Sequence, residues 1–370
     1  AHSGFYLSHK TISIGVIGPG TVGAALLRQL DKQSQRLAEQ FNLDLRVRAI
    51  ARSSGMLLGD RRVDLCTWQR DIESSGVDTD LELFEQHVNP DHLPHAVIID
   101  CTASEFIASR YAGWLSRGIH VITPNKKAFS GSFGDYKGLQ HAADEGSSHY
   151  FYETTVGAAL PVITTLCDLL YTGDDIRSIN GIFSGTLAYL FNVYDGTVPF
   201  SEIVRAAKEN GYTEPDPRDD LSGMDVARKL TILARELGQG IEIGDFPVQS
   251  LVPESLRDCS IEEFLDKLAE HDDVMAARYN EATAENRKLR YVAKLDSKGN
   301  ASVGLEAVDA QHPFSNINLT DNIVQFETER YSENPLVVQG PGAGPEVTAA
   351  GVFADLLRLA NFLSTGVGYV

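Results

Sequence analysis

Apolar residues in the first part of the chain fall in short unbroken runs, each followed by a stretch of helical spacing. The runs are "TISIGVI", "LRVRAIAR", "AVIID" and "GIHVIT". Runs without polar alternation predict strands buried on both faces, and their alternation with helices up to about residue 150 predicts right-handed crossovers and a doubly wound parallel sheet. "HYFYETTVGAALP" predicts one more strand, before a helix from about Pro161 to Leu170.

After that the periodicity changes. "RSINGIFSG" and "KLRYVAKLDSKGNASVGLEAVD" alternate apolar with polar positions, which predicts longer strands in a mixed or antiparallel sheet. Helical spacing covers "FSEIVRAAKENG" and "DVARKLTILARELG". "VVQGPGAGPEVTAAGVFADLLRLANFL" repeats the order of strand, Gly-rich turn and helix, and is expected to return the chain to the first region. The fold class is α/β: a Rossmann-type sheet plus a mixed-sheet α+β region. The expected domains are 1–150, completed by 344–370, and 151–343.

Composition narrows the classes. A chain of 370 residues exceeds the ~250–300 over which one core grows, so more than one domain is expected. A formal net charge of −19 opposes general binding to nucleic acid or to an anionic membrane. No apolar run approaches the ~18–20 residues that span a bilayer. Cys66, Cys101, Cys167 and Cys259 stand far apart with no C-x-x-C pair, which argues against zinc ribbons, redox motifs and disulfide scaffolds. A reducing compartment, the cytoplasm or an equivalent organelle, is expected. No basic and apolar secretory leader opens the chain, and its first residue, Ala1, suggests a processed chain, an expression product or a fragment of something longer.

Gly18-Pro19-Gly20-Thr21-Val22-Gly23 follows the first strand and opens the first helix. In G-x-G-x-x-G the first glycine permits a tight turn, the second lets a pyrophosphate approach the main chain, and the third lets helix pack on strand. This spacing predicts dinucleotide binding; a plain tight turn is the alternative. Arg52, with Ser53 and Ser54, ends the second strand where NAD-binding versions carry an acid, and so suits the 2′-phosphate of NADP(H) unless it is an ordinary surface arginine. NADP(H) is the preferred cofactor on this reading and NAD(H) a second option. Thr102 and Lys126 follow the third and fourth runs, at the strand ends where ligands of open parallel sheets gather.

The stretch "TEPDPRDDLSGMDVARK" gathers Glu214, Asp219, Asp220 and Asp225 just before an apolar-striped helix. Pro215 and Pro217 predict a stiff extended lead-in that presents the acids on a loop rather than a helix. Asp225 and Lys229 are four apart and share a helix face. They would serve either as an ion pair behind a Ser222 cap or as proton-transfer groups, with the acids holding an amine-bearing substrate.

In this order, "GPGTVG", "PNKK", "ETTVGAALP", "FSGTLAYLF", "EPDPRDDLSGMDVARK" and "GPGAG" resemble homoserine dehydrogenase over nearly the whole chain. "AHSGFYLSHKTI" resembles the junction of bifunctional aspartate kinase–homoserine dehydrogenases, so fusion to a kinase domain is one implied context. The resemblance implies NAD(P)-dependent interconversion of aspartate 4-semialdehyde and homoserine, the branch step toward threonine and methionine. Carried over by motif, Lys229 is the acid/base, Glu214 and Asp225 bind substrate, and Asp219 and Asp220 support that site. Lys126 lies near nicotinamide and substrate as a second proton-transfer or carboxylate-binding group. Thr102, Gly211 and Gly344 fall at cofactor contacts. Glu153, Val156, Ala158 and Leu160 match a monovalent-cation site, implied to hold sodium mainly by main-chain carbonyls, although Ala159 replaces a glycine common in that motif. A homodimer, or a higher homo-oligomer, paired through the mixed sheet is implied, in the cytoplasm or in a plastid for a plant chain.

Two rivals stand beside this reading. A phosphorylating semialdehyde dehydrogenase would need a nucleophilic cysteine activated by histidine, and none of the four cysteines has such a setting. A cofactor-binding regulatory module without activity would not require Lys126, Glu214, Asp225 and Lys229 together.

Overall fold

A computed structural model describes residues 11–74 and 77–365; the junction-like stretch before Thr11 lies outside them. The strand β1, Thr11–Ile17, is buried at every position. It pairs in parallel with β2, Asp44–Arg52, on one side and with β4, His95–Asp100, on the other. β5, Ile119–Ile122, and β6, Tyr150–Phe151, extend the sheet, while β3, Gly55–Leu58, folds back antiparallel on β2. The resulting order, β3-β2-β1-β4-β5-β6, reverses direction at β1 and β4, which is where an open α/β sheet forms its ligand crevice.

Two long helices cover this sheet. Leu26, Leu27 and Leu30 of helix Thr21–Phe41 and Val352, Leu356 and Leu359 of helix Pro345–Thr365 join Ile12, Ile14 and Val16 in one apolar cluster. Each such fully buried aliphatic side chain is worth roughly 1.5–3 kcal/mol of transfer free energy. The C-terminal helix thus supplies a wall to the nucleotide-type sheet. The chain divides into two compact units, with the boundary falling after Ala159 and again before Gly344.

The second unit is built on a five-stranded sheet in the order β11-β10-β7-β8-β9. Its strands are β7, Ile176–Ile182; β8, Arg287–Asp296; β9, Ala301–Asp309; β10, Asp321–Thr328; and β11, Leu336–Pro341. All four ladders are antiparallel, and the parallel pairing is confined to an isolated Val248–Val303 bridge. Of the mixed or antiparallel sheet expected from the sequence, the antiparallel form is the one observed, since the connections from β8 to β9 and from β10 to β11 carry no crossover helix. The β8–β9 turn is tied by Asp296 Oδ1, which accepts from the N–H groups of Lys298 and Asn300.

Two local expectations need correction. The strand read at "HYFYETTVGAALP" is only Tyr150–Phe151; Glu153–Thr155 turns into a 3-10 helix before helix Val162–Tyr171. The acids after Pro215 do not lie on an extended loop either. Asp216 caps a short helix, Pro217–Leu221, by accepting from Arg218 N–H, and Pro217 takes its first position. Proline fits the first turn of a helix because its missing N–H has no partner there anyway, so Asp219 and Asp220 are helical.

Candidate active site

The turn between β1 and helix Thr21–Phe41 shows why it needs glycine. Gly18 has φ 81°, and a Cβ there would lie 2.5 Å from Thr102 Cγ2. A Cβ on Gly23 would lie 2.3 Å from the Gly18 carbonyl oxygen, whereas one on Gly20 would meet open space. Gly20 caps the helix without a side chain, Thr21 opens it, Val22 packs on the core, and no acidic residue occupies the first turn. The helix thus leaves main-chain N–H groups and its positive end for an anion. At the end of β2, Arg52 has a buried Nε with no hydrogen-bond partner. An orphaned guanidinium N–H beside a phosphate-type turn fits the 2′-phosphate of NADP(H).

Thr102 follows β4, and its N–H donates to Asp100 Oδ1 at 2.8 Å. Lys126 follows β5 and caps the short helix Lys127–Ser130, its carbonyl accepting from Ser130. Gly344, at φ 118°, provides the carbonyl that accepts from Thr348 in the first turn of the C-terminal helix. All of these belong to the first unit.

In the second unit the structure joins Lys229, Asp225 and a partner that sequence reasoning missed. Lys229 is 8% exposed on helix Met224–Glu236. Its Nζ lies 2.8 Å from Asp225 Oδ2 and donates to the Phe183 carbonyl at 2.6 Å. Asn322 Nδ2 donates to the same carbonyl at 3.1 Å. Ser222 Oγ accepts from Met224 N–H at 3.3 Å, but Gly223 holds the cap position at φ 74°, where a Cβ would lie 1.9 Å from the Tyr291 hydroxyl. Asp225 is therefore not part of a capping box with Ser222. A lysine ammonium fixed by a carboxylate and a carbonyl has a defined direction, which a solvated surface lysine lacks.

Glu214 is exposed just ahead of this helix pair, and its N–H donates to Asp220 Oδ2 at 2.8 Å. Burial pushes the Asp220 carboxyl above its ordinary range, with the charges of Glu214 and Asp225 adding to the effect. Asp219 is exposed in the first turn of helix Pro217–Leu221. Gly211, at φ 73°, ends the preceding helix, Phe200–Glu209, and is open to solvent.

Of the four residues expected to hold a cation, Glu153, Val156 and Ala158 lie in the first unit and Leu160 begins the second. Gly157 and Ala158 follow one another at φ 83° and 53°, and Glu153 is 4% exposed. Its N–H donates to Asp355 Oδ2 at 3.2 Å, and Asp355 binds Arg358 at 2.6 Å. Burial, with Glu153 beside it, pushes the Asp355 carboxyl up to about 7 despite Arg358. A cation here would be held by carbonyl oxygens, a donor set that suits a hard ion. Among the described residues, no cluster of three or more His, Cys, Asp or Glu could bind a metal.

Family comparison decides what these parts belong to. A model of homoserine dehydrogenase matches residues 161–357, and a model of the homoserine dehydrogenase NAD-binding domain matches residues 18–153. The chain belongs to the homoserine dehydrogenase family. It is 42% identical over 364 residues to homoserine dehydrogenase of Schizosaccharomyces pombe, covering 96% of each chain. It is 51% identical over 366 residues to the chloroplastic bifunctional aspartokinase/homoserine dehydrogenase 2 of Zea mays, covering 98% of this chain but 40% of that protein. The chain thus spans about two fifths of such bifunctional relatives. Among solved structures, a Candida auris protein of unknown function superposes with a TM-score of 0.86 at 36% identity, over 95% of this chain and 98% of that one. A putative homoserine dehydrogenase of Archaeoglobus fulgidus does so with a TM-score of 0.76 at 26% identity, over 94% and 99%. No helix among the described residues is long and apolar enough to cross a membrane.

Proposed function

We propose that this chain interconverts L-aspartate 4-semialdehyde and L-homoserine by hydride transfer with NADP(H), at the branch toward threonine and methionine. The observation that carries the proposal is Lys229, buried and held between Asp225 and the Phe183 carbonyl in a chain of this family. When bound, the nicotinamide supplies or accepts the hydride. The remaining steps belong to protein groups. Glu214 binds the substrate ammonium, while Asp220 fixes the Glu214 main chain by its hydrogen bond and Asp219 adds negative field. Lys229 protonates the developing alkoxide oxygen in reduction and takes that proton back in oxidation, with Asp225 orienting it. Lys126 serves the same centre as a second polar group, and Gly18, Gly20, Thr21, Val22, Gly23, Thr102, Gly211 and Gly344 form cofactor contacts.

A thiol mechanism has less support. Burial pushes the Cys101 thiol far above its ordinary range, and the negative charges around Cys66, Asp31 foremost, raise that thiol as well. Neither thiol is poised as a thiolate nucleophile. The test of the function is a substrate panel: L-homoserine should drive NADP+ reduction, whereas L-threonine and L-serine should not. Equal rates with all three, or none with homoserine, would overturn the proposal.

Cofactor choice is assigned to Arg52. Arg52→Asp is expected to lower kcat/KM for NADPH relative to NADH by about 10²-fold, since a charge-assisted pair is replaced by repulsion. An unchanged ratio for the two cofactors would remove Arg52 from that role.

The turn over Glu153, Val156 and Ala158, with Leu160, is assigned to a monovalent cation, sodium in the first instance, and the antiparallel sheet to pairing of two copies. Exhaustive exchange into a buffer with a bulky organic cation is expected to lower activity or shift the homodimer toward monomer. Identical activity and identical sedimentation would count against the cation. A cytoplasmic location, or a plastid one as in the chloroplastic plant relatives, fits this role, as does attachment to an aspartate kinase domain.

A further inference from the structure

Asp100 is among the most buried charged groups in the first unit, and the mechanism above leaves it without a task. It ends β4 with 0% exposure. Its Oδ1 accepts from Thr102 N–H at 2.8 Å, and its Oδ2 accepts from the Tyr111 hydroxyl at 2.5 Å and from Asn125 Nδ2 at 3.0 Å. The Asp100 carbonyl accepts from Thr123 Oγ1 at 2.8 Å, which itself accepts from Asn125 N–H at 2.8 Å. Asn125 then donates from Nδ2 to the Ser104 carbonyl at 3.0 Å and accepts from Lys127 N–H at 3.1 Å.

These bonds join two strand ends that carry cofactor-binding residues. On one side, Asp100 fixes Thr102, whose methyl group lies against Gly18 so closely that no Cβ fits between them. On the other, it fixes Asn125, so Lys126 stands between two residues whose main-chain N–H groups are both tied into the network. Burial drives the Asp100 carboxyl above its ordinary range, and only the donors from Tyr111, Thr102 and Asn125 pull it back. An apolar side chain of similar volume would avoid that desolvation cost. What a carboxylate does that an apolar group cannot is accept from three donors on separate segments at once.

We infer that Asp100 is a positioning residue for the cofactor site, setting the Gly18 turn through Thr102 and the Lys126 segment through Asn125. The inference rests on the reading of that turn as an NADP(H) site. It concerns geometry rather than contact with the reacting atoms.

Asp100→Asn is the direct probe. An amide has one acceptor oxygen and turns an NH2 either toward Thr102 N–H or toward the Tyr111 hydroxyl and the Asn125 NH2 group, so at least one donor loses its partner. Tyr111→Phe is the milder probe, keeping the carboxylate and removing one donor. Fluorescence titration of the full chain with NADPH measures Kd, thermal melting measures folding, and steady-state kinetics at saturating NADP+ measure KM for homoserine. Asp100→Asn is expected to raise the NADPH Kd by about 10-fold to 100-fold and Tyr111→Phe by about 3-fold to 10-fold. The homoserine KM should rise less than the NADPH Kd in both, because the Gly18 turn serves the cofactor alone and only the Lys126 segment also serves the substrate, a split that mere loss of folded protein would not produce. If Asp100→Asn does not fold, the Kd of Tyr111→Phe decides. Folded variants that bind NADPH within about twofold of the parent overturn the inference while leaving the cofactor site intact. A parent chain that does not bind NADPH overturns the cofactor reading as well.

Discussion

Replacing Lys229 by alanine is expected to lower kcat by about 10²–10⁴, the usual contribution of a positioned general acid. The NADPH affinity should change little, because Lys229 is assigned to the substrate oxygen and not to the cofactor. Folding should persist. The side chain of Asp225 is 40% exposed, so losing its partner leaves a carboxylate that water can solvate. The Phe183 carbonyl keeps its bond from Asn322. Lys229→Arg sharpens the test, since a guanidinium keeps the charge but does not release a proton near neutral pH. It should therefore resemble alanine in kcat while preserving the ion pair. If the pair with Asp225 served only to stabilise the helix, both variants would turn over near the parent rate and differ only in melting temperature.

A second large effect is expected within the first unit, on β5. His120, 3% exposed on β5, stacks on His149 with ring centroids 5.5 Å apart and lies 6.4 Å from His95. Its Nδ1 accepts from the His149 N–H at 3.0 Å, so that nitrogen carries no proton in the fold. Burial, aided by the two neighbouring imidazoles, pushes its pKa down to about 3. Above the ordinary value of 6.5 folded and unfolded chains are both neutral here and nothing is lost. As pH falls from about 6.5 toward 3 only the unfolded chain takes up the proton, and stability declines through that window. At about pH 4.5 the loss is roughly 2–3 kcal/mol, two units of displacement at 1.36 kcal/mol each.

Asp355 titrates with the opposite sign, because a carboxyl raised to about 7 favours the folded chain below its ordinary range and loses that contribution as pH rises through 7. The comparison must therefore be between His120→Asn and the parent, in which Asp355 is common to both. Urea unfolding should show the variant less stable at about pH 7.5 and gaining about 2–3 kcal/mol on the parent by about pH 4.5. A constant difference across that range would mean that His120 does not titrate as its burial requires.

Sequence and structure agree best where one residue type answers a local constraint. Gly18 and Gly23 were readable because a positive φ or a carbonyl 2.3 Å from a would-be Cβ excludes other residues. β2 and β4 were readable from apolar runs because both faces of a parallel sheet are covered. "DPRDD" was misread because proline after a cap residue suits an extended lead-in and a helix start equally, and only the Asp216 bond to Arg218 N–H decides between them. Alternation left a mixed and an antiparallel sheet both open for the second region, because it reports one exposed face and not strand direction. The Phe183 carbonyl and the Asp100 network lay beyond reach for a different reason. A main-chain oxygen 46 positions from Lys229 has no sequence signature, and an aspartate after "AVII" reads as a strand end until Tyr111 and Asn125 are placed around it.

On the proposed function, hydride passes between nicotinamide and the carbonyl carbon of the semialdehyde in this chain. That transfer is tested most directly with NADPH deuterated at the transferable nicotinamide position, aspartate 4-semialdehyde and purified protein, the product being analysed by mass spectrometry. The expected product is homoserine carrying one deuterium on the carbinol carbon, formed at a rate that collapses in Lys229→Ala. Homoserine without the label, or oxidation of the cofactor with no homoserine formed, would contradict it.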